Sequence, residues 1–411
     1  MPQSTLESAA CVHPTVPSAG AQQIRLPDNV LFSISARIGG SGLDLDSHEA
    51  LKGAWNADLL ARAVAYDNRQ KDIPAFAVRS LRWHPVRLLS FLGSRYYYGA
   101  KKHYLDWICA REIATGGYDL VHSWSGDCLR TFREARRRGI ATVLEIPTWH
   151  RNKGKKKPAV TKSERERAEL PWPRRWLESL PPSRQHVMEE YDLADLILVL
   201  SQKAAETFQA AGFDEKRLFM LPRGTDIHRF TPGKKPDHFS AIFVGSLSKR
   251  KGVDLLLETW RGLGLKNATL TLLGTAQKEV EPAIRQYGGD DIRLLGHVSN
   301  PETYLRQSSV HIFPSTCEGS AKVTYDAAAS GLAQITTREA GDVVKDGLNG
   351  LVIPCGDKDA LAAAITRLYN NRDELLAMGD AARKRVEENF TWAHYQERLL
   401  QAYSLAMQMK K

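Results

Sequence analysis

Two doubly wound parallel-sheet α/β domains facing each other across a cleft are the architecture this sequence predicts, and three observations predict it. Short apolar runs alternate with helix-patterned segments from Asn29 onward, the pattern of a parallel sheet with helices on both faces. The alternation is interrupted once and then restarts. The interruption is TPGKKPD at 231–237, with two prolines and no large apolar residue, which places a domain boundary there. A chain of 411 residues is long enough to give each half its own core.

The domains expected are therefore 29–230 and 231–391, with a last helix, 392–411, packing back toward the N-terminal domain. Residues 1–28 lack a basic region followed by an apolar core, so they read as a disordered tail rather than a secretory signal. Hydrophobic content of 43% and charged content of 25% are those of a soluble protein. No apolar run approaches the roughly 18 residues of a membrane span. Five cysteines without paired spacing favour a reducing compartment and a cytoplasmic location. A net charge of +10 calls for an anionic partner: nucleotide, nucleic acid or acidic lipid surface.

In chain order, NVLFSISARIGGSGLD reads as a buried strand and a glycine-rich turn at Gly39, Gly40 and Gly42, and Leu51 to Ala65 as a helix. A glycine turn there lies where ligands approach the backbone of open sheets, although GGSG lacks the dinucleotide spacing. Asp44 and Asp46 form a DxD that suits either a metal or, more simply, water. Between Asp72 and Asp106 there is no acidic residue. Arginines and lysines from Arg79 to Lys102 interleave there with Trp83, Phe91 and four tyrosines, as on an interfacial helix at an anionic membrane, a nucleic-acid groove or a plain solvated face. YDLVHSW is a strand, RTFREARRRG a helix, and ATVLEIP a strand that delivers Thr148, Trp149 and His150 to its end. His150 is a candidate for orienting an acceptor or donor hydroxyl, or an ordinary loop histidine. Residues 151–185 form a basic, proline-bearing insertion of the length that usually serves function. ADLILVLS, Gln202 to Ala211 and RLFMLP then continue as strand, helix and strand.

The second set opens with SAIFVGS, a strand and turn at Gly245. Lys249, Arg250, Lys251 and Gly252 follow, ahead of the helix VDLLLETW, a cationic helix entry that suits a diphosphate. ATLTLLG, IRLLGHV, VHIF and GLVIPCGD are strands, with helices over Lys278–Tyr287, Pro301–Gln307, Lys358–Asn370, Asp373–Glu388 and Trp392–Met409. The centre of the half is VHIFPSTCEGSAKVTYDAAASG: strand, loop, then a helix beginning near Gly319. Glu318 and Asp326 stand eight residues apart, about 12 Å along a helix. That exceeds the roughly 5 to 9.5 Å of a glycoside-hydrolase pair. Successive stations on one bound molecule fit the length better, with a helix cap and a solvated carboxylate as the plainer alternative. Cys317 has no activating neighbour that would make it a nucleophile.

These residues resemble the retaining glycosyltransferases of family 4, which have the GT-B fold. EGSAKVTYD is similar to that family's E-x7-E element, GSLSKRKGVDLLLETW to its Gly-Arg-x-x-x-x-Lys-Gly segment, and LPRGTDIHRFTP, Gly296 with His297, and GDVVKDGLNGLVIPCGD followed by FTW fall in the family's order. The resemblance implies a sugar moved from a nucleoside diphosphate, uridine or guanosine, to a glycan or lipid-linked acceptor, with no metal or other cofactor required and no nucleic acid expected. Glu318 would contact the donor sugar, with Gly319, Ser320, Ala321 and Lys322 around it, Asp326 the ribose and Lys251 the leaving diphosphate. Gly245, His297 and Val298 would complete the donor site, with His150, Gly39 and Gly40 facing it from the other half. Where the family usually has Arg, this chain has Ser246, so Arg250 or Arg223 is expected to supply the missing contact. A sugar-nucleotide epimerase or glycan phosphorylase of the same fold, and a basic nucleic-acid-binding protein, are the alternatives. A peripheral place on the inner face of a membrane is a further expectation.

Overall fold

The computed structural model describes residues 25–40, 42–153, 166 and 169–410. The expected tail falls outside the described residues up to 24, as does the insertion over 154–165 and 167–168. Thirteen strands are present in this part of the chain, in two sheets. The first holds β1 (Val30–Ile38), β2 (Leu60–Asn68), β3 (Val78–Ser80), β4 (Leu120–Trp124), β5 (Ala141–Ile146), β6 (Leu196–Val199) and β7 (Leu218–Met220). The second holds β8 (Phe239–Val244), β9 (Ala268–Leu273), β10 (Ile292–Gly296), β11 (Val310–Phe313), β12 (Ala333–Thr337) and β13 (Gly350–Ile353). Their orders are β3-β2-β1-β4-β5-β6-β7 and β10-β9-β8-β11-β12-β13. Every pairing between these strands is parallel.

Runs such as LILV and VHIF are buried along their whole length because helices cover both faces of each sheet. One face of the first sheet packs on the helices Leu43–Asn56 and Trp392–Met409, whose Tyr395, Leu399, Ala402 and Tyr403 enter that core. The chain therefore crosses between the halves twice, at 221–230 and at 390–392. The crossings touch: Thr225 N–H donates to Phe390 O at 2.9 Å, and a Cβ on Gly224 would lie 2.6 Å from the Trp392 ring.

Both sheets reverse direction of winding between their first and fourth strands, β1 beside β4 and β8 beside β11. Loops leaving neighbouring strands there run to opposite faces and open a crevice at the carboxyl ends.

The structure corrects several element assignments. Leu51–Ala65 is not one helix: the helix is Leu43–Asn56, and Leu60–Asn68 is β2, whose alanine-rich sequence takes the strand form because it is hydrogen-bonded between β1 and β3. The stretch from Arg79 to Tyr104 is likewise broken, into the end of β3, a 3-10 segment at Pro85–Leu92 and the helix Ser94–Thr115, with Gly93 at φ 83° between the last two. In the second half β12 emerges from AQITT. The helix after β11 starts at Lys322, not near Gly319, so helical rise does not set the separation of Glu318 from Asp326. No helix among the described residues is long and apolar enough to cross a membrane.

Candidate functional site

The crevice of the second sheet is built by two loops, one after β8 and one after β11. Gly245, at φ 144°, ends β8, and a Cβ there would sit 3.3 Å from the Lys251 amine. The cationic turn Lys249–Lys251 closes on Gly252 at φ 72°, where a Cβ would lie 2.3 Å from Pro314 O. Only a glycine allows that approach. The turn is thereby pressed against the loop after β11, and three groups converge on Glu318 Oε1: Arg250 Nη1 at 2.7 Å, Lys251 Nζ at 3.4 Å and Ser315 Oγ at 3.3 Å. Arg250 also donates to Cys317 O. Lys249 is exposed, and its amide bonds Glu279.

A second knot forms around Asp326. Its carboxylate accepts from Thr225 Oγ1 at 2.6 Å and Lys322 Nζ at 2.7 Å, and the Lys322 amine lies 5.4 Å from the centre of the Phe230 ring. Thr225 arrives from the interdomain crossing. Between the two carboxylates, the Ser320 hydroxyl pairs with Tyr325 OH at 2.7 Å. The amides of Glu318 and Ala321 bond Glu339 O and Ala340 O. Both amides are therefore engaged. The helix itself begins only at Lys322, and no side chain caps it at Ala321.

Gly319 is where the halves meet. Its carbonyl accepts from Ser201 Oγ at 2.6 Å, and a Cβ on it would lie 2.3 Å from Pro147 O and 2.9 Å from Thr148 Cα. Gln202 N–H to Asp342 at 2.6 Å and Arg338 to Glu206 at 2.7 Å reinforce the contact.

Several predicted site residues lie elsewhere. His150 is buried, ringed by Tyr191, Phe208 and Phe213, and its Nδ1 accepts from Asn152 N–H, so it packs a core instead of lining the cleft. Arg223 pairs with buried Asp46 of the first half rather than joining Lys251. This leaves Arg250 as the arginine at Glu318. Asp44 caps the glycine turn by accepting from Arg37 N–H, so the DxD carboxylates point to separate partners. A Cβ on Gly39 would meet Gln70 N at 2.6 Å and one on Gly40 the Asp44 carboxylate at 2.6 Å, which explains these glycines by packing within their own loop. Ser246 is exposed and accepts from Gln277; His297 is exposed, and Val298 is partly buried against the apolar cluster that contains Phe230 and Leu305. Burial pushes the Cys317 thiol up, away from thiolate character. No group of three or more metal-ligating side chains occurs among the described residues. Thr225 and Ser315 were missed by sequence reasoning: Ser315 lies three residues before Glu318, but nothing local marks Thr225, whose partner is 101 positions away.

Residues 238–371 match the family described as "Glycosyl transferases group 1". The chain is 30% identical over 163 residues to the capsular polysaccharide biosynthesis glycosyltransferase CapM of Staphylococcus aureus, covering 38% of this chain and 43% of that one. It thus spans less than half the length of that relative. The whole fold is similar to sucrose-phosphate synthase from Thermosynechococcus elongatus, with a TM-score of 0.65 at 19% identity over 91% of this chain and 98% of that one. It is also similar to Anabaena HepE in complex with UDP, with a TM-score of 0.63 at 14% identity and the same coverage. The protein has the GT-B fold, and residues 238–371 of its second half match the group 1 glycosyltransferase family.

Proposed function

We propose that the protein is a retaining glycosyltransferase of the family 4 type, which moves a sugar from a nucleoside diphosphate to a glycan or lipid-linked acceptor. The convergence of Arg250 and Lys251 on Glu318 carries this reading. Two cations and one carboxylate at the end of a strand pair suit a donor whose sugar offers hydroxyls to the carboxylate and whose diphosphate takes the cations. Breaking the bond between the anomeric carbon and the diphosphate oxygen builds negative charge on the leaving group. Fixed cations aimed at it lower that barrier. The acceptor hydroxyl forms the new bond on the same face, and its proton passes to the departing phosphate, so configuration is kept. Asp326, steadied by Thr225 and Lys322, is assigned to the ribose. Contact of Pro147 and Thr148 with Gly319 brings the acceptor half against the donor half and excludes water that would hydrolyse the donor.

UDP is in the HepE complex and capsular polysaccharide in the name of CapM, which supports a uridine nucleotide and a cell-surface glycan. Melting curves of the whole chain with UDP, GDP and their sugars test the donor, since a ligand of the folded state raises its melting point. One of the two should give a rise, and none with either would overturn the assignment. In Lys251→Ala, kcat should fall by roughly 100- to 1000-fold, the loss typical of a group that stabilises developing charge. A phosphorylase would instead cleave glycan only when phosphate is added.

A further inference from the structure

A cavity of about 340 Å³ opens in the first half at the carboxyl ends of β4 and β5. Its walls are the loops after those strands, the start of the helix Ser94–Thr115 and Pro181–Pro182. Arg95, Lys102 and Arg151 line it, and no carboxylate does among the described residues. Lys102 is held at 2.6 Å by buried Asp127, whose other oxygen accepts from Ser35 N–H. Its amine lies 3.3 Å from where a Cβ on Gly126 would sit, so the glycine leaves the cation open to the cavity. Arg95 is held at 2.9 Å by Glu178. Cations fixed from behind, with the space before them free of acid, suit an oxyanion.

The approach to this cavity is apolar. Leu88 and Phe91, 81% and 78% exposed, stand on the 3-10 segment that leads through Gly93 into Arg95. Trp172 and Trp176 stand exposed on the helix Trp172–Ser179. Glu178 joins this helix to the start of Ser94–Thr115, bonding both Arg95 and Tyr96 OH. Large apolar side chains left in water beside Arg87, Arg174 and Arg175 match a bilayer with anionic headgroups.

We propose that the cavity holds the phosphate of a lipid-phosphate acceptor, whose hydrocarbon chain lies along the apolar approach at a membrane surface. This rests on the transferase reading: Pro147 and Thr148 form part of the cavity wall and also pack on Gly319, so a hydroxyl borne beside the phosphate is directed toward Glu318.

Calorimetry of the whole chain with farnesyl phosphate, farnesol and inorganic phosphate tests it. Farnesyl phosphate should bind at least tenfold more tightly than either of the others. Arg95→Gln combined with Arg151→Gln should weaken it at least tenfold while the melting-point rise with the nucleotide stays unchanged. Leu88→Ser combined with Trp172→Ser should weaken farnesyl phosphate and abolish sedimentation with phosphatidylcholine vesicles containing phosphatidylglycerol, while sparing inorganic phosphate. Equal binding of farnesyl phosphate by the cavity variant overturns the site, and inorganic phosphate binding as tightly as farnesyl phosphate overturns the lipid. If no nucleotide raises the melting point of the unaltered chain, the transferase reading fails, yet farnesyl phosphate still reads the cavity on its own.

Discussion

The two halves share one sheet layout and differ in where along it a site opens and in what fills it. In the second half, charges meet within 2.7 to 3.4 Å at Glu318, and all of them come from the two short loops that follow β8 and β11. In the first half, one strand along from the β1–β4 crevice, a cavity of about 340 Å³ lies at the ends of β4 and β5, walled by a helix start, two strand ends and a segment from the insertion. Under the proposed function, a diphosphate is small and strongly charged, so two cations and a close-packed turn would hold it. A larger acceptor needs walls from several elements. The halves also bury a histidine differently. His122 lies 3.2 Å from the Glu145 carboxylate and 2.9 Å from Tyr403 OH, whereas His311 on β11 has the neutral amide of Gln334 at 3.0 Å.

The sharpest way to break this comparison is to cut the joint between the halves. Arg223→Met leaves the Asp46 carboxylate buried without its cation, which should destabilise the fold by about 3 to 5 kcal/mol. Burial already pushes the Asp46 pKa up, so the loss should shrink in acid, where the carboxyl is neutral and no longer needs the guanidinium. Urea melts at pH 7 and pH 5 read both effects, and an unchanged midpoint at pH 7 would show that the halves do not depend on this pair.

The buried histidines give the next effect. Burial holds the His311 imidazole down, to about 4 from an ordinary 6.5. The unfolded chain therefore binds this proton first, and the stability contributed by neutral His311 is complete above pH 6.5 and lost as pH falls toward 4. The loss approaches about 3 kcal/mol at the lower end. His311→Gln should flatten that part of the stability profile, and a profile with the same slope in the variant would refute the assignment.

A smaller effect sharpens the donor side. Arg250→Ala should weaken the nucleotide about tenfold, the value of one charge-assisted contact at about 1.4 kcal/mol. Adding Ser246→Arg in that background should restore binding if position 246 reaches the same phosphate. A double variant as weak as the single one would place the two side chains on different parts of the ligand.

Much of the fold was legible because buried parallel strands announce themselves as continuous apolar runs. LILV, AIFV and VHIF needed no tertiary information. LARAVAYDN and AQITT did, since their composition is equally helical or too short to decide, and their neighbours in the sheet settle the matter. That Lys251 lies beside both Glu318 and Gly245 was readable because it depends on two short loops that leave neighbouring strands. His150 was misread because a strand end can turn its side chain into the core as easily as into the crevice.

The sequence by itself determined the alternation of strands and helices in two sets and the cationic turn at 249–251, because each is written in residues close along the chain. Tertiary structure alone decided that Arg223 pairs with Asp46 across 177 positions, that Thr225 steadies Asp326 across 101, and that Glu178 ties the exposed aromatics to the basic cavity across 83. Those pairings join segments whose separation carries no periodicity. Only the packing of the finished halves brings them within hydrogen-bonding distance.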